Sequence, residues 1–438
     1  MKILVVSYYF PPYNTIGAIR VSKTAKYLKQ CGHEVKILTA KNQTLPLNLS
    51  PDLSNNDVYA TSWINVNKPI EILLGGSRKV AYEGYTSHKK FSLLKKPGYV
   101  YRELLNFPDG QIGWYPYALK EGKKLIDDWR PDIIFASAMP LTSLLIGSKL
   151  SKIYKIPWVG ELRDLWIDHH AYQHSTIRTK LETKFEREIL STACGLVTVS
   201  EHLADQIKKK YNGPVKVILN GFDPTDYEGE MTSYKAPYHP KLNIVYTGKI
   251  YESNQDITPL LKALSILKGT RYENKITINL YGRDLNHVFN KVSSYGVNSF
   301  FKNNGFVNYK ESIMKQKTAD ILLHLLWNDE KQKGIYTGKL FEYFGASRPI
   351  LGIGTKNNLA AKLIISKKAG MVVDDPIIIA EQLKSLIKEK ENKGFIEYHT
   401  SDDNIELTRE FQTNKLITFI NELLGRKGVE SGDKVKHS

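Results

Sequence analysis

Short apolar runs alternate with helix-spaced apolar positions along almost the whole chain. Lys2-Ile3-Leu4-Val5-Val6-Ser7 has the length and content of a buried strand and is stopped by Pro11-Pro12. Ala18, Val21, Ala25 and Leu28 then recur at helical spacing up to Gly32, and Val35-Lys36-Ile37-Leu38 resumes as strand. A polar stretch, 41–62, and a basic, aromatic-studded segment, 78–102, interrupt the alternation. It resumes with strands predicted at 132–137, 157–161, 195–199 and 215–219, separated by helices at 141–154, 177–191 and 201–211. A second series has strands at 242–246, 276–281, 321–326, 349–352 and 371–373. Its helices fall near 257–268, 285–295, 309–319, 338–346, 358–367 and 377–391.

Strict alternation of β and α elements in both halves predicts an α/β protein of two Rossmann-like, doubly wound parallel-sheet domains facing a cleft. The first domain spans 1–223, with an insertion at about 41–102. Pro224, Pro237 and Pro240 mark 224–241 as a linker, and the second domain spans 242–406. A last helix at 407–424 precedes a polar tail, 425–438, that reads as disordered.

The 438 residues leave room for two or three domains, and 42% hydrophobic with 24% charged residues excludes disorder as the main state. Lys and Arg number 62 against 45 Asp and Glu, a formal net charge of +17, which brings in anionic partners: nucleic acid, lipid headgroups or phosphorylated small molecules. Cys31 and Cys194 are the only cysteines, so neither a disulfide framework nor a structural zinc site is expected, and a reducing cytoplasm fits. The Ile3–Val6 run is too short for a signal peptide, and no stretch approaches the ~20 apolar residues that span a bilayer.

In open α/β sheets ligands bind at the carboxyl ends of strands, so the strand-to-helix loops hold the candidate chemistry. In Phe10-Pro11-Pro12-Tyr13-Asn14-Thr15-Ile16-Gly17-Ala18-Ile19-Arg20, Gly17 at a helix start admits a phosphate or sugar to backbone N–H groups; it equally fits a loop glycine chosen for its φ angle. GxGxxG is absent, so no dinucleotide cofactor is indicated. Glu161-Leu162-Arg163-Asp164 ends an apolar strand with three ionisable groups, suited to orienting a hydroxyl or to forming an internal ion pair. Asn220-Gly221-Phe222-Asp223 closes the first half and also reads as an ordinary turn. Tyr246-Thr247-Gly248-Lys249 offers a glycine N–H and a cation for a diphosphate, although Lys249 also fits an exposed surface lysine. Finally, Thr337 is a candidate N-cap for Gly338-Lys339-Leu340-Phe341-Glu342-Tyr343-Phe344. The N–H groups of Gly338, Lys339 and Leu340 would then hold an anion, and the Glu342 carboxylate would accept both hydroxyls of a ribose.

Taken in order, FPP…GA-x-R, GHEVKILT, ELRDLW, NGFD, YTGK and TGKLFEYFGASRPIL resemble the retaining GT-B glycosyltransferases of the family 4 type found in bacterial surface-polysaccharide pathways. The resemblance covers residues 1–424, and Asn106-Phe107-Pro108-Asp109 through Gly113-Trp114 is similar to a subset of those enzymes. It implies a nucleoside diphosphate sugar donor, of UDP or GDP type, on the second domain and a hydroxyl acceptor entering from the first. It puts the ribose-binding glutamate on Glu342, the diphosphate cation on Lys249 and the N-terminal glycine on Gly17, and it sends the terminal helix back towards the first domain.

Three positions depart from the family pattern. The first glutamate of E-x7-E falls on Gly334, the second cation on Asn254, and the histidine that touches the donor sugar on Arg163. Arg20, Arg283 and Lys339 join Gly248, Lys249, Thr337, Gly338, Leu340 and Glu342 as donor-site candidates, while Glu161, Arg163 and Asp164 are the catalytic candidates. No DxD motif is present where a metal would sit, so metal-independent transfer without a cofactor is expected. An epimerase of the same fold is the alternative among enzymes.

The segment 78–102 holds seven Lys and Arg against Glu83, with Tyr82, Tyr85, Phe91, Tyr99 and Tyr101 interleaved. That composition fits a nucleic-acid-binding protein. Phe91, Leu93 and Leu94 beside paired lysines fit better an anionic membrane and a lipid-diphosphate acceptor at its cytoplasmic face.

Overall fold

The computed structural model describes residues 1–43, 45–69, 103–169, 172, 174–228, 240–328, 334, 336–398 and 404–425. The basic segment 78–102, residues 229–239 of the expected linker and residues 426–438 of the tail lie outside them.

The chain forms two compact units, Met1–Leu219 with Thr413 onward, and Asn220–Gln412. The first has seven parallel strands in the order β3-β2-β1-β4-β5-β6-β7. They are β1 (Lys2–Val6), β2 (Glu34–Ala40), β3 (Val58–Thr61), β4 (Ile133–Ala138), β5 (Trp158–Leu162), β6 (Gly195–Thr198) and β7 (Val215–Val217). Helices α1 (Ile16–Gln30), α2 (Tyr115–Asp128), α3 (Thr142–Tyr154), α4 (Thr176–Leu190) and α5 (Glu201–Lys208) connect them. Strand order reverses direction between β1 and β4, where both strands put their carboxyl ends side by side; this is the switch point at which such sheets bind ligands.

The second unit repeats the plan with six parallel strands in the order β10-β9-β8-β11-β12-β13. These are β8 (Leu242–Thr247), β9 (Ile276–Tyr281), β10 (Phe301–Asn303), β11 (Ile321–Leu325), β12 (Ile350–Ile353) and β13 (Gly370–Val373). Its helices are α6 (Thr258–Leu267), α7 (Asn286–Ser294), α8 (Tyr309–Lys317), α9 (Gly338–Ala346), α10 (Leu359–Ser366) and α11 (Pro376–Lys393). Here the switch point lies between β8 and β11, which pair directly.

Three elements escape the apolar pattern. β3 is a four-residue edge strand inside the polar 41–62 stretch, and β10 has only Phe301 facing the core. The inward face of α2 includes Ala118 and Gly122, so its helical period is faint in the sequence. A methyl on Gly122 would stand 2.8 Å from Leu150 Cδ1, so this small face is what lets α2 lie close on α3.

The turn Asn220-Gly221-Phe222-Asp223 belongs to the second unit. The Phe222 N–H donates to the Leu407 carbonyl at 3.0 Å and the Arg409 N–H to the Phe222 carbonyl at 2.7 Å. A methyl on Gly221 would lie 2.7 Å from the Arg409 nitrogen, so glycine permits the pairing. Pro224–Tyr227, expected in a linker, is a short 3-10 turn packed within that unit, with Tyr227 buried and its hydroxyl donating to the Glu342 carbonyl at 2.8 Å. The last helix, α12 (Arg409–Leu423), inserts Leu416, Phe419 and Ile420 among Ile3, Val5, Val21 and Val35 of the first unit.

Candidate active site

In the second unit, the loops that follow β8, β9 and β10 meet at the carboxyl edge of the sheet. The Gly248 N–H donates to the Tyr281 carbonyl at 2.7 Å, and the Gly282 N–H to the Gly305 carbonyl at 2.8 Å. Gly248 has φ +105°, and a methyl on Gly282 would overlap the Gly248 carbonyl oxygen, so both positions require glycine for this approach.

Three cations surround that junction. Lys249 lies 5.2 Å from the centre of the Tyr251 ring, and Arg283 stacks on Phe306 at 3.9 Å. Lys339, from the first turn of α9, reaches back so that its Nζ lies 4.0 Å from the centre of the Tyr246 ring. It donates to the Tyr246 hydroxyl and approaches the Lys249 carbonyl at 3.4 Å. Among the described residues none of the three has a carboxylate within ion-pair distance. Burial pulls the Lys339 amine down to about 7, and the negative field of Glu342 only partly opposes it.

Two expectations for the start of α9 are corrected by this geometry. Thr337 occupies the N-cap position with extended backbone but makes no side-chain cap bond, and among the described residues its buried Oγ1 has no partner. The Leu340 N–H donates to the Thr337 carbonyl at 3.1 Å, which leaves the amides of Gly338 and Lys339, and not that of Leu340, to meet an anion. The Leu340 side chain is wholly buried with Phe341, Tyr343 and Phe344. Tyr343 fixes the helix on the sheet: its hydroxyl donates to the Leu323 carbonyl at 3.2 Å and accepts the Thr247 N–H at 3.3 Å.

Glu342 is half-buried one turn further on. Its Oε2 accepts from Gln316 Nε2 at 2.9 Å, while Oε1 carries no hydrogen bond among the described residues. One oxygen is therefore engaged and the other is available to a ligand hydroxyl, which narrows the two-hydroxyl expectation. Burial raises the Glu342 carboxyl; Gln316, Lys339 and Arg409 counter it, and Asp226 adds to it. Gln316 also binds the Thr247 hydroxyl at 2.9 Å and the Ser312 hydroxyl at 3.2 Å. Nothing in the sequence marks this lone helical glutamine.

In the first unit the structure separates the catalytic candidates. Glu161 and Arg20 are 3% and 2% exposed and pair with each other: Arg20 Nε and Nη2 both donate to Glu161 Oε1, at 2.9 and 2.7 Å. Arg20 also holds the carbonyls of Leu219 and Ile218 at 2.9 Å each, and Ser137 donates to the other Glu161 oxygen. Burial alone would raise the Glu161 carboxyl, but the Arg20 charge and hydrogen bonds, with Arg163 and Ser137, hold it below the usual carboxylate range. Both side chains are engaged within the protein, and their bonds tie β5, α1 and the end of β7 together.

Arg163 stays at the strand edge, donating to the carbonyls of Ala138 and Met139. Its guanidinium lies against Gly17, where a methyl would come within 2.8 Å of Nη2. Gly17 and Arg163 are thus one feature, legible in the sequence only as two. Asp164 is half-buried, and its charge reaches both Arg163 and His169; the latter, lowered by burial, is a neighbour that the sequence reading missed.

Among the described residues no group of three His, Cys, Asp or Glu side chains is placed to hold a metal ion, and no helix is long and apolar enough to cross a membrane. Two doubly wound parallel sheets, the second with cations at its strand ends, define a two-domain α/β protein of the GT-B class. By sequence, residues 17–226 match the model of Glycosyltransferase Family 4, so the chain is family 4-like over that span.

Solved structures of the same fold include sucrose-phosphate synthase from Thermosynechococcus elongatus, with 12% identity, TM-score 0.61, and 97% of this chain and 99% of that chain covered. A glycosyltransferase from Rickettsia africae gives 14%, 0.57, 97% and 99%, and Anabaena Alr3699/HepE in complex with UDP and glucose gives 13%, 0.58, 96% and 100%. No curated protein matches the sequence at a significant level.

Proposed function

We propose that the protein transfers a sugar from a nucleoside diphosphate sugar to a hydroxyl acceptor, with retention of anomeric configuration. The observation that supports this most is the group of basic residues, Lys249, Lys339 and Arg283, around the Gly248 loop at the start of α9, none of which has a carboxylate within ion-pair distance among the described residues. A diphosphate leaving group gains charge as the anomeric bond breaks. The cations Lys249 and Arg283, the Lys339 amine once protonated, and the amides of Gly338 and Lys339 then bind it more tightly in the transition state than in the ground state, which lowers the barrier. These groups do the work that a divalent ion does elsewhere, so the reaction is proposed to need neither metal nor cofactor.

Glu342 Oε1 accepts a ribose hydroxyl, and Arg163 with Asp164 orients the sugar and the incoming hydroxyl. UDP is the first nucleotide to test, because Anabaena Alr3699/HepE is seen with UDP and glucose. The acceptor is proposed to be a lipid-linked or glycan hydroxyl of bacterial surface polysaccharide or glycoconjugate synthesis, reached at the cytoplasmic face of the membrane through the basic segment 78–102. A thermal-shift panel of UDP, GDP, CMP and their sugars tests the donor site, since a ligand bound only by the folded state raises apparent stability. A shift with one diphosphate nucleotide and none with CMP is expected; no shift with any of them would remove the reading.

A further inference from the structure

The family-like second cation is missing at Asn254, yet the Gly248 loop has another cation against it. A methyl on Gly248 would stand 3.2 Å from Lys339 Nζ, so the ammonium lies at the loop that the proposed site assigns to the diphosphate. Lys339 comes from helix α9 rather than from the strand-end loop, which is why spacing within the β8 loop does not reveal it. We propose that Lys339 is the second cation of the diphosphate site and that it takes up a proton when the nucleotide binds. This rests on the nucleotide-sugar reading of the same site.

The groups that face the amine explain why the free site leaves it under-charged. From β8 comes the neutral Tyr246 hydroxyl, from the following loop the Lys249 carbonyl, from β11 His324, and from its own helix Glu342. Only Glu342 favours the ammonium, and its carboxylate is itself shared with Gln316. Desolvation draws this half-buried amine down to about 7, which leaves it room to gain a proton above neutral pH. A diphosphate at the Gly248 loop brings at least two negative charges beside it, three for UDP above pH 7, and favours the ammonium.

His324 is pushed down to about 3 and Tyr246 is held well above its ordinary value, while burial raises the Glu342 carboxyl; the Lys339→Arg variant separates the lysine's proton from any taken up there. The terminal phosphate of UDP loses its second proton near pH 6, and neighbouring cations only make it more acidic.

The experiment is calorimetric titration of the full chain with UDP, and in parallel with GDP, at pH 8.2 in two buffers of different ionisation enthalpy. The expected result is uptake approaching one proton per nucleotide, with affinity falling by nearly tenfold from pH 7.5 to 8.5. Lys339→Arg should still bind but take up no proton, because a guanidinium is charged throughout. Binding without uptake by the unaltered chain, or uptake that persists in Lys339→Arg, would overturn the inference while leaving the donor site intact. Absence of binding by either nucleotide would overturn both.

Discussion

The guanidinium of Arg163 rests against Gly17, in space that any side chain at position 17 would claim. Gly17→Ala should push Arg163 off the carbonyls of Ala138 and Met139 and cost about 1–3 kcal/mol, the usual penalty for buried acceptors left unmet. Urea unfolding of Gly17→Ala, Arg163→Ala and the double variant forms a cycle. Costs well short of additive are expected, because the two residues share one interaction; simple additivity would show that they act independently.

The Arg20–Glu161 pair is a buried ion pair at the base of a strand-end loop. Removing one partner, as in Arg20→Met or Glu161→Ala, leaves a desolvated charge or empty donors and should lower stability by about 3–5 kcal/mol. A substrate-facing Glu161 would instead leave unfolding nearly unchanged. The pair also has a pH signature. The Glu161 carboxyl is depressed in the folded state, so its stabilisation is full above the ordinary carboxylate value near 4.5 and fades as the pH falls through the folded one. Glu161→Gln should flatten that acid limb.

Glu186 on α4 titrates in the opposite sense. Burial pushes its carboxyl up to about 7, and the Lys210 ammonium, 3.4 Å away, only partly compensates. Above pH 7 the folded state must carry a desolvated charge; stability is full below the ordinary value near 4.5 and is lost as the pH rises through about 7. Glu186→Gln should therefore stabilise the protein by about 2–3 kcal/mol at pH 8 and by little at pH 4.5. Equal unfolding midpoints for the two proteins at pH 8 would contradict this.

At the donor site, Glu342→Ala should weaken nucleotide binding by about 1–3 kcal/mol, through loss of an acceptor for a ligand hydroxyl. Gln316→Leu should weaken it in the same direction, because Gln316 holds the carboxylate in place. Titration with UDP and its 2′-deoxy analogue separates the roles: the deoxy nucleotide should lose less when Glu342 is removed. Undiminished affinity for every nucleotide would take Glu342 out of the site.

For the basic segment 78–102, flotation with anionic liposomes is the measurement. Changing Lys89, Lys90, Lys95 and Lys96 together to Glu should abolish binding, since each cation near such a surface contributes about 1 kcal/mol. Equal flotation of the altered chain would dismiss the segment as a membrane contact.

The sequence by itself determined the repeated β/α alternation and the glycines at strand ends. A buried parallel strand is a short apolar run and a covering helix has a 3.6-residue period, and both are local properties. It could not mark α2, whose inner face is partly built of Ala118 and Gly122, nor β3 and β10, which lie at sheet edges and bury little. It also placed Glu161, Arg20 and Lys339 among candidates without saying which would face a ligand. That was decided by tertiary structure, because pairing depends on residues far apart in the chain. Arg20 meets Glu161 across 141 positions and is engaged there, whereas Lys339 meets Tyr246 across 93 and, among the described residues, has no carboxylate within ion-pair distance. Two charged side chains look alike along a sequence; the groups that folding brings against each one decide whether its charge is satisfied within the protein or left for a ligand.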